Sequence, residues 1–354
     1  MMTYNTMVWT VDNSEQVIEK NSQLIQASLW IKKDEVVAFP TETVYGLGGN
    51  AYSDTAIGRI YEAKGRPSDN PLIVHIAERS QLQDLVGEIP DKANKLMGAF
   101  WPGPLTIIFP KGSKVSARVT GGLDTVAVRM PDHPVALEFI KSCGVPLAAP
   151  SANLSGKPSP TSAVHVYEDL SGRIPGIVDG GQTGIGVEST VVDCSVDGQV
   201  TILRPGGVTK EQLEHVLGCA VYVDPSFTKK DTAPRSPGMK YTHYAPDAPF
   251  VLVNGSREFI QQLVKQAKSE GRRAGVLTTV ENEGFYSADA VIPAGVRSRP
   301  ETVAAALYDA LRAFNEAKVD IIYGEVFPKH GVGDAIMNRL EKAAGGNMMV
   351  EEDK

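Results

Sequence analysis

The chain has 354 residues, 42% of them hydrophobic and 22% charged, and carries a formal net charge of -7. That length predicts two domains with cores of their own. The acidic balance argues against a general nucleic-acid coat but leaves room for a local basic cleft. No apolar run approaches the roughly 18 residues of a spanning helix. The start, M-M-T-Y-N-T-M-V-W-T-V-D, lacks the basic and apolar regions of a signal peptide, so a cytoplasmic protein is expected. Cys143, Cys194 and Cys219 are far apart and form no C-x-x-C. This predicts buried, reduced thiols and no zinc site.

In chain order, a first helix is expected over 14–33, capped by Ser14, with Val17, Leu24, Ile25 and Leu29 as its apolar stripe. A strand over 36–39 runs into Pro40, which cannot continue a ladder. Thr41, Glu42, Thr43 and Tyr45 follow at once. Gly46, Gly48 and Gly49 are then expected to let the backbone pass close to a ligand. Ser53 or Asp54 caps a helix running to Lys64. Arg66 sits two residues on, just before Pro67, where a helix should stop.

A strand over 71–76 carries His75, and helices near 80–85 and 91–100 lead to a strand over 105–109. The stretch 111–124 reads as a polar loop, followed by a strand with Arg129 near its end. A helix over 134–142 and a strand over 146–149 precede P-S-A-N-L-S-G-K-P-S-P-T-S, which holds Ser151 and Asn153. A helix over 162–170 and strands over 176–179, after Ser189 and over 200–204 come next, and Thr209 opens a helix. Some strands follow one another directly, which implies a mixed α/β sheet.

Pro225, Pro234, Pro237, Pro246 and Pro249 give 224–249 the composition of a linker. The domains therefore read as 1–223, the linker 224–249, and 250–354. Within the linker, Lys240, Tyr241, His243 and Tyr244 cluster. The last part alternates strands (250–253, 274–278, 290–292, 320–326) with helices (257–268, 302–317, 334–344). This predicts a small doubly wound parallel sheet.

The Walker, dinucleotide, zinc-protease and hydrolase-elbow motifs are all absent. What remains is a set of strand ends. Lys64, Arg66, Arg129 and Arg204, with Thr43, Ser151, Asn153 and Ser189, suit an anionic ligand there. Buried cations without partners are costly, so phosphate or carboxylate is their natural complement. Each piece alone has a plainer reading: a solvated helix end for Lys64 and Arg66, a strand histidine for His75, a turn for S-A-N-L-S-G, and rings docking the linker for Tyr241, His243 and Tyr244.

Together the pieces are more specific. P-T-E-T-V-Y-G-L-G, K-G-R-P-S-D-N-P-L-I-V-H-I, W-P-G-P-L-T, V-A-V-R-M-P, A-P-S-A-N-L-S-G-K-P-S-P-T and G-V-E-S-T-V-V-D resemble the YrdC-like threonylcarbamoyl-AMP synthases. S-P-G-M-K-Y-T-H-Y-A-P and F-P-K-H-G-V-G-D-A-I-M-N-R resemble the longer, two-domain branch of that family. The resemblance covers nearly the whole chain. It implies a mixed twisted YrdC-like sheet with helices around a cationic cleft, plus a smaller Rossmann-like C-terminal domain.

The implied reaction joins L-threonine, bicarbonate or carbon dioxide, and ATP, giving L-threonylcarbamoyladenylate and pyrophosphate. The product feeds N6-threonylcarbamoyladenosine in tRNAs reading ANN codons. Other proteins make the transfer to tRNA, contact with tRNA itself is weak, and no membrane is involved. By the same resemblance Lys64, Arg66, Ser151 and Asn153 are catalytic. Arg66, Asn70, Thr125, Ser151, Ser159, Arg204 and His243 bind ATP. Thr43, His75, Arg129, Ala149 and Ser189 shape the threonine pocket. Magnesium is expected, held mainly by the phosphates. Both reactants are anions, so the chemistry needs charge neutralisation and alignment rather than a covalent nucleophile. The residues 240–244 are expected to act as a lid that keeps water off a hydrolysable adenylate.

One competing reading stays open at this stage: a non-catalytic RNA-binding protein whose footprint is the cationic cleft. The acidic total and the compact glycine-rich loops count against it.

Overall fold

The computed structural model describes residues 3–12, 21–68, 70–196, 198–224 and 243–352. The chain divides into two compact units. One comprises Met1–Ser155, Pro160–Gly184 and Glu188–Lys240; the other comprises Gly156–Ser159, Ile185–Val187 and Tyr241–Lys354. Two short pieces that precede the linker in sequence therefore belong to the second unit, which a linear reading of linker composition has no means to detect.

The first unit begins with β1 (Met7–Thr10), α1 (Ser22–Ile31), β2 (Val37–Phe39), β3 (Gly46–Asn50), α2 (Asp54–Lys64) and β4 (Ile73–His75). It continues through α3 (Leu82–Leu85), α4 (Asp91–Phe100), β5 (Leu105–Pro110), α5 (Ala117–Thr120), β6 (Thr125–Arg129) and α6 (Pro134–Cys143). It closes with β7 (Leu147–Ala148), α7 (Ala163–Leu170), β8 (Gly176–Asp179), β9 (Thr190–Asp193), β10 (Thr201–Arg204), α8 (Lys210–Leu217) and β11 (Tyr222–Val223). The strands form one mixed sheet in the order β1-β8-β2-β3-β7-β4-β6-β5-β9-β10-β11. The expected mixed α/β sheet is therefore present.

Apolar side chains cover this sheet on both faces. One face packs Leu47, Val74, Val126, Val128, Ile107 and Phe109 against Ile57 and Ile60 of α2 and Leu96 of α4. The other packs Val37, Phe39 and Leu147 against Leu24, Ala27 and Ile31 of α1 and Phe139 of α6. Such double coverage is why the strands read as near-continuous apolar runs rather than alternating ones.

Several local expectations need correction. Asn21 caps α1, accepting from the backbone N–H groups of Gln23 and Leu24 at 2.9 and 3.4 Å. The buried stripe is Leu24, Ala27, Ser28 and Ile31, while Ile25 and Leu29 are exposed. The spacing 24, 27, 28, 31 is itself a helical face, offset by one position from the expected one. Ser14 and Val17 lie outside the described residues. The loop expected over 111–124 contains α5, capped by Ser116. Cys219 is exposed, whereas Cys143 and Cys194 are buried and burial pushes both thiols up, Cys194 to about 12.

The largest correction concerns Gly46, Gly48 and Gly49. They form β3, antiparallel to β2 and β7, and do not form an open ligand loop. A Cβ on Gly48 would meet Phe39 at 2.9 Å and Leu147 at 3.3 Å, and one on Gly49 would meet Ile60 at 3.2 Å. The side chain that needs the glycine space is Phe39, not a ligand. Filling that space would force neighbouring side chains off their rotamers, at about 1–3 kcal/mol.

The second unit contains β12 (Phe250–Asn254), α9 (Arg257–Ser269), β13 (Ala274–Thr278), β14 (Ala290–Pro293), α10 (Pro300–Ala317), β15 (Ile321–Glu325), α11 (Val332–Ala343) and β16 (Met348–Val350). Its sheet runs β14-β13-β15-β12-β16, with every pairing parallel. The doubly wound parallel sheet is thus as expected, with β16 added at one edge. At the carboxyl ends of β13 and β15, buried Glu325 accepts hydrogen bonds from Thr278 at 2.6 Å, Asn282 at 2.9 Å and Tyr286 at 2.8 Å, and pairs with Arg297. This network satisfies its own carboxylate and reads as a strut between strand ends. No described helix is long and apolar enough to cross a membrane.

Candidate active site

Strand register assembles the site. His75 ends β4 beside Arg129, which ends β6, and Thr106 of β5 lies on the other side of Arg129. Leu147 flanks His75. Four strands far apart in sequence therefore place one row of side chains along one line. Because side chains alternate along a strand, Thr125, Ala127 and Arg129 share a face. Ile73, Ile108, Ala127, Val191 and Leu203 cluster on that face as a small apolar floor.

Arg129 is held on three sides. Its Nε donates to the Gly103 carbonyl at 3.3 Å and its Nη1 to the Thr43 hydroxyl at 2.9 Å. Its Nη2 lies 2.7 Å from Oε1 of Glu42. That contact is an ion pair off the hydrogen-bond line: among the described residues, Arg129 Nη2 and both shielded Glu42 oxygens have no hydrogen-bond partner. Thr41 fixes the turn, contacting the Thr43 hydroxyl at 2.9 Å and donating to the Val44 carbonyl at 2.7 Å. Arg129 is 3% exposed, so its remaining donors are shielded from bulk water.

His75 packs edge-on against Phe39, with ring centroids 5.9 Å apart, and its Nδ1 lies 3.2 Å from the Ile73 carbonyl. Burial, then the charge of Arg129, pushes its pKa down to about 3, so the ring is neutral at neutral pH. The unfolded chain takes up this proton near pH 6.5 and the folded chain does not. Between those values the unfolded state binds more protons, and stability is lost as pH falls. A His75→Gln protein should lose less stability than the parent between pH 6.5 and about 4.5. The difference expected over this window is about 2 kcal/mol, read from urea unfolding at each pH. Equal losses in the two proteins would show that His75 is not held neutral.

Ser189 joins this pocket through Thr106, with hydroxyl oxygens 2.7 Å apart. Arg204 donates from Nε and Nη2 to the Ser189 carbonyl at 3.1 and 2.9 Å. Ala149 is buried and donates its backbone N–H to the Ile73 carbonyl.

Lys64 builds the second part of the site. Ser53 caps α2, and Gly65 ends it in the left-handed conformation at φ 61°, which leaves Lys64 as the last helical residue, pointing inward. Its ammonium donates to the Ser151 and Asn153 carbonyls, both at 2.6 Å, and to Oδ1 of Asn153 at 3.3 Å. Burial, then the nearby charge of Arg66, pushes the Lys64 pKa well below its usual value. Three oxygens around one nitrogen nevertheless match the three N–H donors of an ammonium. Ser151 donates to Oδ1 of Asn153 at 2.6 Å, and the Asn153 amide donates to the Leu154 carbonyl at 2.8 Å. The loop after β7 is thus wrapped around one lysine. Strand β3 braces it from the other side, through a bridge between Gly46 and Ser151 and a bond from the Ala152 N–H to the Tyr45 carbonyl.

The cations are therefore not without protein partners, as their pattern in the sequence suggested. Lys64, Arg129 and Arg204 each have oxygen acceptors in place. Asn70 differs: it is 1% exposed, and among the described residues neither end of its amide has a partner. Thr125 stands four residues from Arg129, at the opposite end of β6 and of the apolar floor. Ser159 and His243 belong to the second unit. There, His243 packs at a tilt against Tyr244 with centroids 5.7 Å apart, and buried Tyr244 packs against Tyr308 at 5.3 Å. The expected lid residues Lys240 and Tyr241 lie outside the described residues.

A family model described as "Telomere recombination" (Sua5, YciO, YrdC) matches residues 30–206, and one described as "Threonylcarbamoyl-AMP synthase, C-terminal domain" matches 208–345. The threonylcarbamoyl-AMP synthase of Bacillus subtilis is 60% identical over 97% of this chain and 99% of its own length. The chain belongs to the threonylcarbamoyl-AMP synthase family. Its two-domain form matches that of the threonylcarbamoyl-AMP synthase of Pyrococcus abyssi, 50% identical over 90% of this chain and 93% of the relative. A crystal structure of P. abyssi Sua5 complexed with L-threonine superposes with a TM-score of 0.91, at 46% identity, over 98% of this chain and all of that one. A P. abyssi Sua5 variant with one histidine and one tyrosine changed to alanine gives 0.90 at 45% identity, over 99% of this chain and all of that one.

Three residues of the site carried no assigned role in the sequence. Glu42 sits between the two threonines of P-T-E-T, and Thr106 is the second residue of β5. His133 is buried with an unpartnered Nδ1 among the described residues, its pKa lowered by burial despite the opposing charge of Glu42. The adjacency of Glu42 to threonines was visible, but the arginine it meets lies 87 positions away.

Proposed function

We propose that the protein condenses L-threonine, bicarbonate or carbon dioxide, and ATP into L-threonylcarbamoyladenylate and pyrophosphate, for threonylcarbamoyladenosine in tRNAs reading ANN codons. The observation that carries the reading is a pair of clusters on one sheet: Arg129 and its partners at one end of β6, and the Lys64-held loop that leaves β7 level with Thr125 at the other end. The first is a buried arginine suited to an amino-acid carboxylate; the second is a lysine-held loop suited to phosphates. The threonine bound in the related P. abyssi structure supports the first assignment.

In this reading Arg129 takes the threonine carboxylate by a charge-assisted contact, with Thr43, neutral His75, Ala149 and Ser189 shaping the pocket. Arg66, Asn70, Ser151 and Arg204 contact the nucleotide, with Thr125 at the far end of the apolar floor. Ser159 and His243 are assigned to the nucleotide on family likeness alone. Lys64 acts through the loop it holds: it sets Ser151 and Asn153 where the transferred phosphoryl group needs donors. No covalent enzyme intermediate is required. The carbamate oxygen attacks the α-phosphorus and pyrophosphate leaves, so the protein supplies alignment and charge.

ATP is a substrate here. Among the described residues no group of three acidic, histidine or cysteine side chains could hold a metal ion. Magnesium would come with the phosphates, where it neutralises charge on the departing pyrophosphate. Transfer to tRNA falls to partner proteins, with only weak tRNA contact by this chain, in a cytoplasmic setting.

The test is pyrophosphate release. It should require L-threonine and bicarbonate together with ATP, and should need no RNA. Release without threonine, or no release beside tight, salt-sensitive tRNA binding, would overturn the reading.

A further inference from the structure

Among the described residues, Glu42 is the one carboxylate seated on the guanidinium that the proposed reaction needs for its substrate. Its Oε1 lies 2.7 Å from Arg129 Nη2, yet neither carboxylate oxygen receives a hydrogen bond from the described residues. Both oxygens are shielded from water. The charged groups facing it are Arg129 on β6 and His133 just before α6, and the histidine is biased toward neutrality by burial. An acidic group this poorly hydrogen-bonded, in contact with a buried arginine, is half of a two-charge receptor. The donors it lacks are those of an ammonium.

An incoming carboxylate without an amine would have to approach Arg129 against the charge of Glu42. A zwitterion would not, because its two charges match the pair: carboxylate to Arg129, ammonium to Glu42. We propose that Glu42 is the subsite for the substrate's α-ammonium and makes the pocket selective for an α-amino acid over the corresponding plain carboxylic acid. This inference rests on the reading of Arg129 as the carboxylate anchor. Separating the pair replaces one contact between protein charges with two between protein and ligand. Recognition by a charge-assisted bond at each end follows.

The experiment is calorimetric binding to the full chain of two ligands, L-threonine and 3-hydroxybutanoate, which keeps the carboxylate and hydroxyl but lacks the amine. The parent protein should bind threonine and bind 3-hydroxybutanoate far more weakly. In Glu42→Gln, threonine should weaken by about tenfold or more, the scale of one lost charged hydrogen bond. 3-Hydroxybutanoate should tighten by a similar factor, because the opposing charge is gone while Arg129 remains. Glu42→Asp, which keeps the charge, should keep the parent's preference. A general loss of structure would weaken both ligands together and cannot produce opposite shifts. Parallel weakening of both ligands, or no change in either, overturns the inference. If the parent itself fails to bind threonine, the underlying reading of the pocket fails instead.

Discussion

Replacing Lys64 by Met should cut turnover at least about a hundredfold and lower stability by about 1–3 kcal/mol. The reasoning runs through the loop after β7. Three oxygens, two from backbone carbonyls of Ser151 and Asn153, converge on one ammonium that is 3% exposed. Methionine fills the volume but takes the lysine donor away from the Ser151 and Asn153 carbonyls, while Oδ1 of Asn153 keeps its bond from Ser151. The loop then relaxes, and with it the Ser151 hydroxyl and Asn153 amide that the proposed chemistry needs in place. A shift of about 1 Å in such a group can cost a hundredfold in rate. Lys64→Arg should not rescue activity, because a planar fork cannot place three donors around one point as an ammonium does. Steady-state kinetics with ATP and L-threonine, beside urea unfolding, read both effects. Turnover within a fewfold of the parent would place the phosphate chemistry elsewhere.

Arg129→Met should destabilise the protein by about 3–5 kcal/mol, because it strands the Glu42 carboxylate in a dry pocket. It should also raise the threonine concentration needed for half-maximal rate by about a hundredfold or more, as a charged contact to the substrate carboxylate is lost. The two effects have different origins and can be separated. Adding Glu42→Gln removes the stranded charge, so the double variant should recover most of the stability and none of the threonine affinity. Thermal unfolding and rate against threonine concentration give the two readings. Recovery of both would mean that Arg129 serves only to neutralise Glu42.

Much of the fold was legible because local signals agreed with the final packing. Thr209 and Ser162 cap their helices as their positions suggested. Gly176–Asp179 and Ala274–Thr278 are strands over the expected residues. Strand β3 was hidden because G-L-G-G-N has low strand propensity. Its place in the sheet is decided by Phe39 and Leu147, which occupy the space a side chain on Gly48 would take. Strands β1, β11 and β16 are short edges of two to four residues, too brief to show a period.

The site was legible in its residue types but not in its wiring. Lys64, Arg66, Ser151 and Asn153 announced a cationic loop, yet nothing local says that Lys64 donates to backbone carbonyls almost 90 positions on. Glu42, just after β2, and Arg129, on β6, meet only because both strands belong to one sheet. Thr106 gains meaning only through the register that sets it beside Arg129. Strand order is a property of the whole core, so pairs of this kind escape a reading of neighbours along the chain.

Incubation of the protein with ATP, magnesium, L-threonine and 13C-bicarbonate, without tRNA, followed by mass spectrometry of the nucleotide products, tests the central claim most directly. The expected product is L-threonylcarbamoyladenylate carrying the label in its carbamoyl carbon, formed in step with pyrophosphate. Pyrophosphate appearing without a labelled adenylate, or an adenylate whose mass ignores the label, would contradict it.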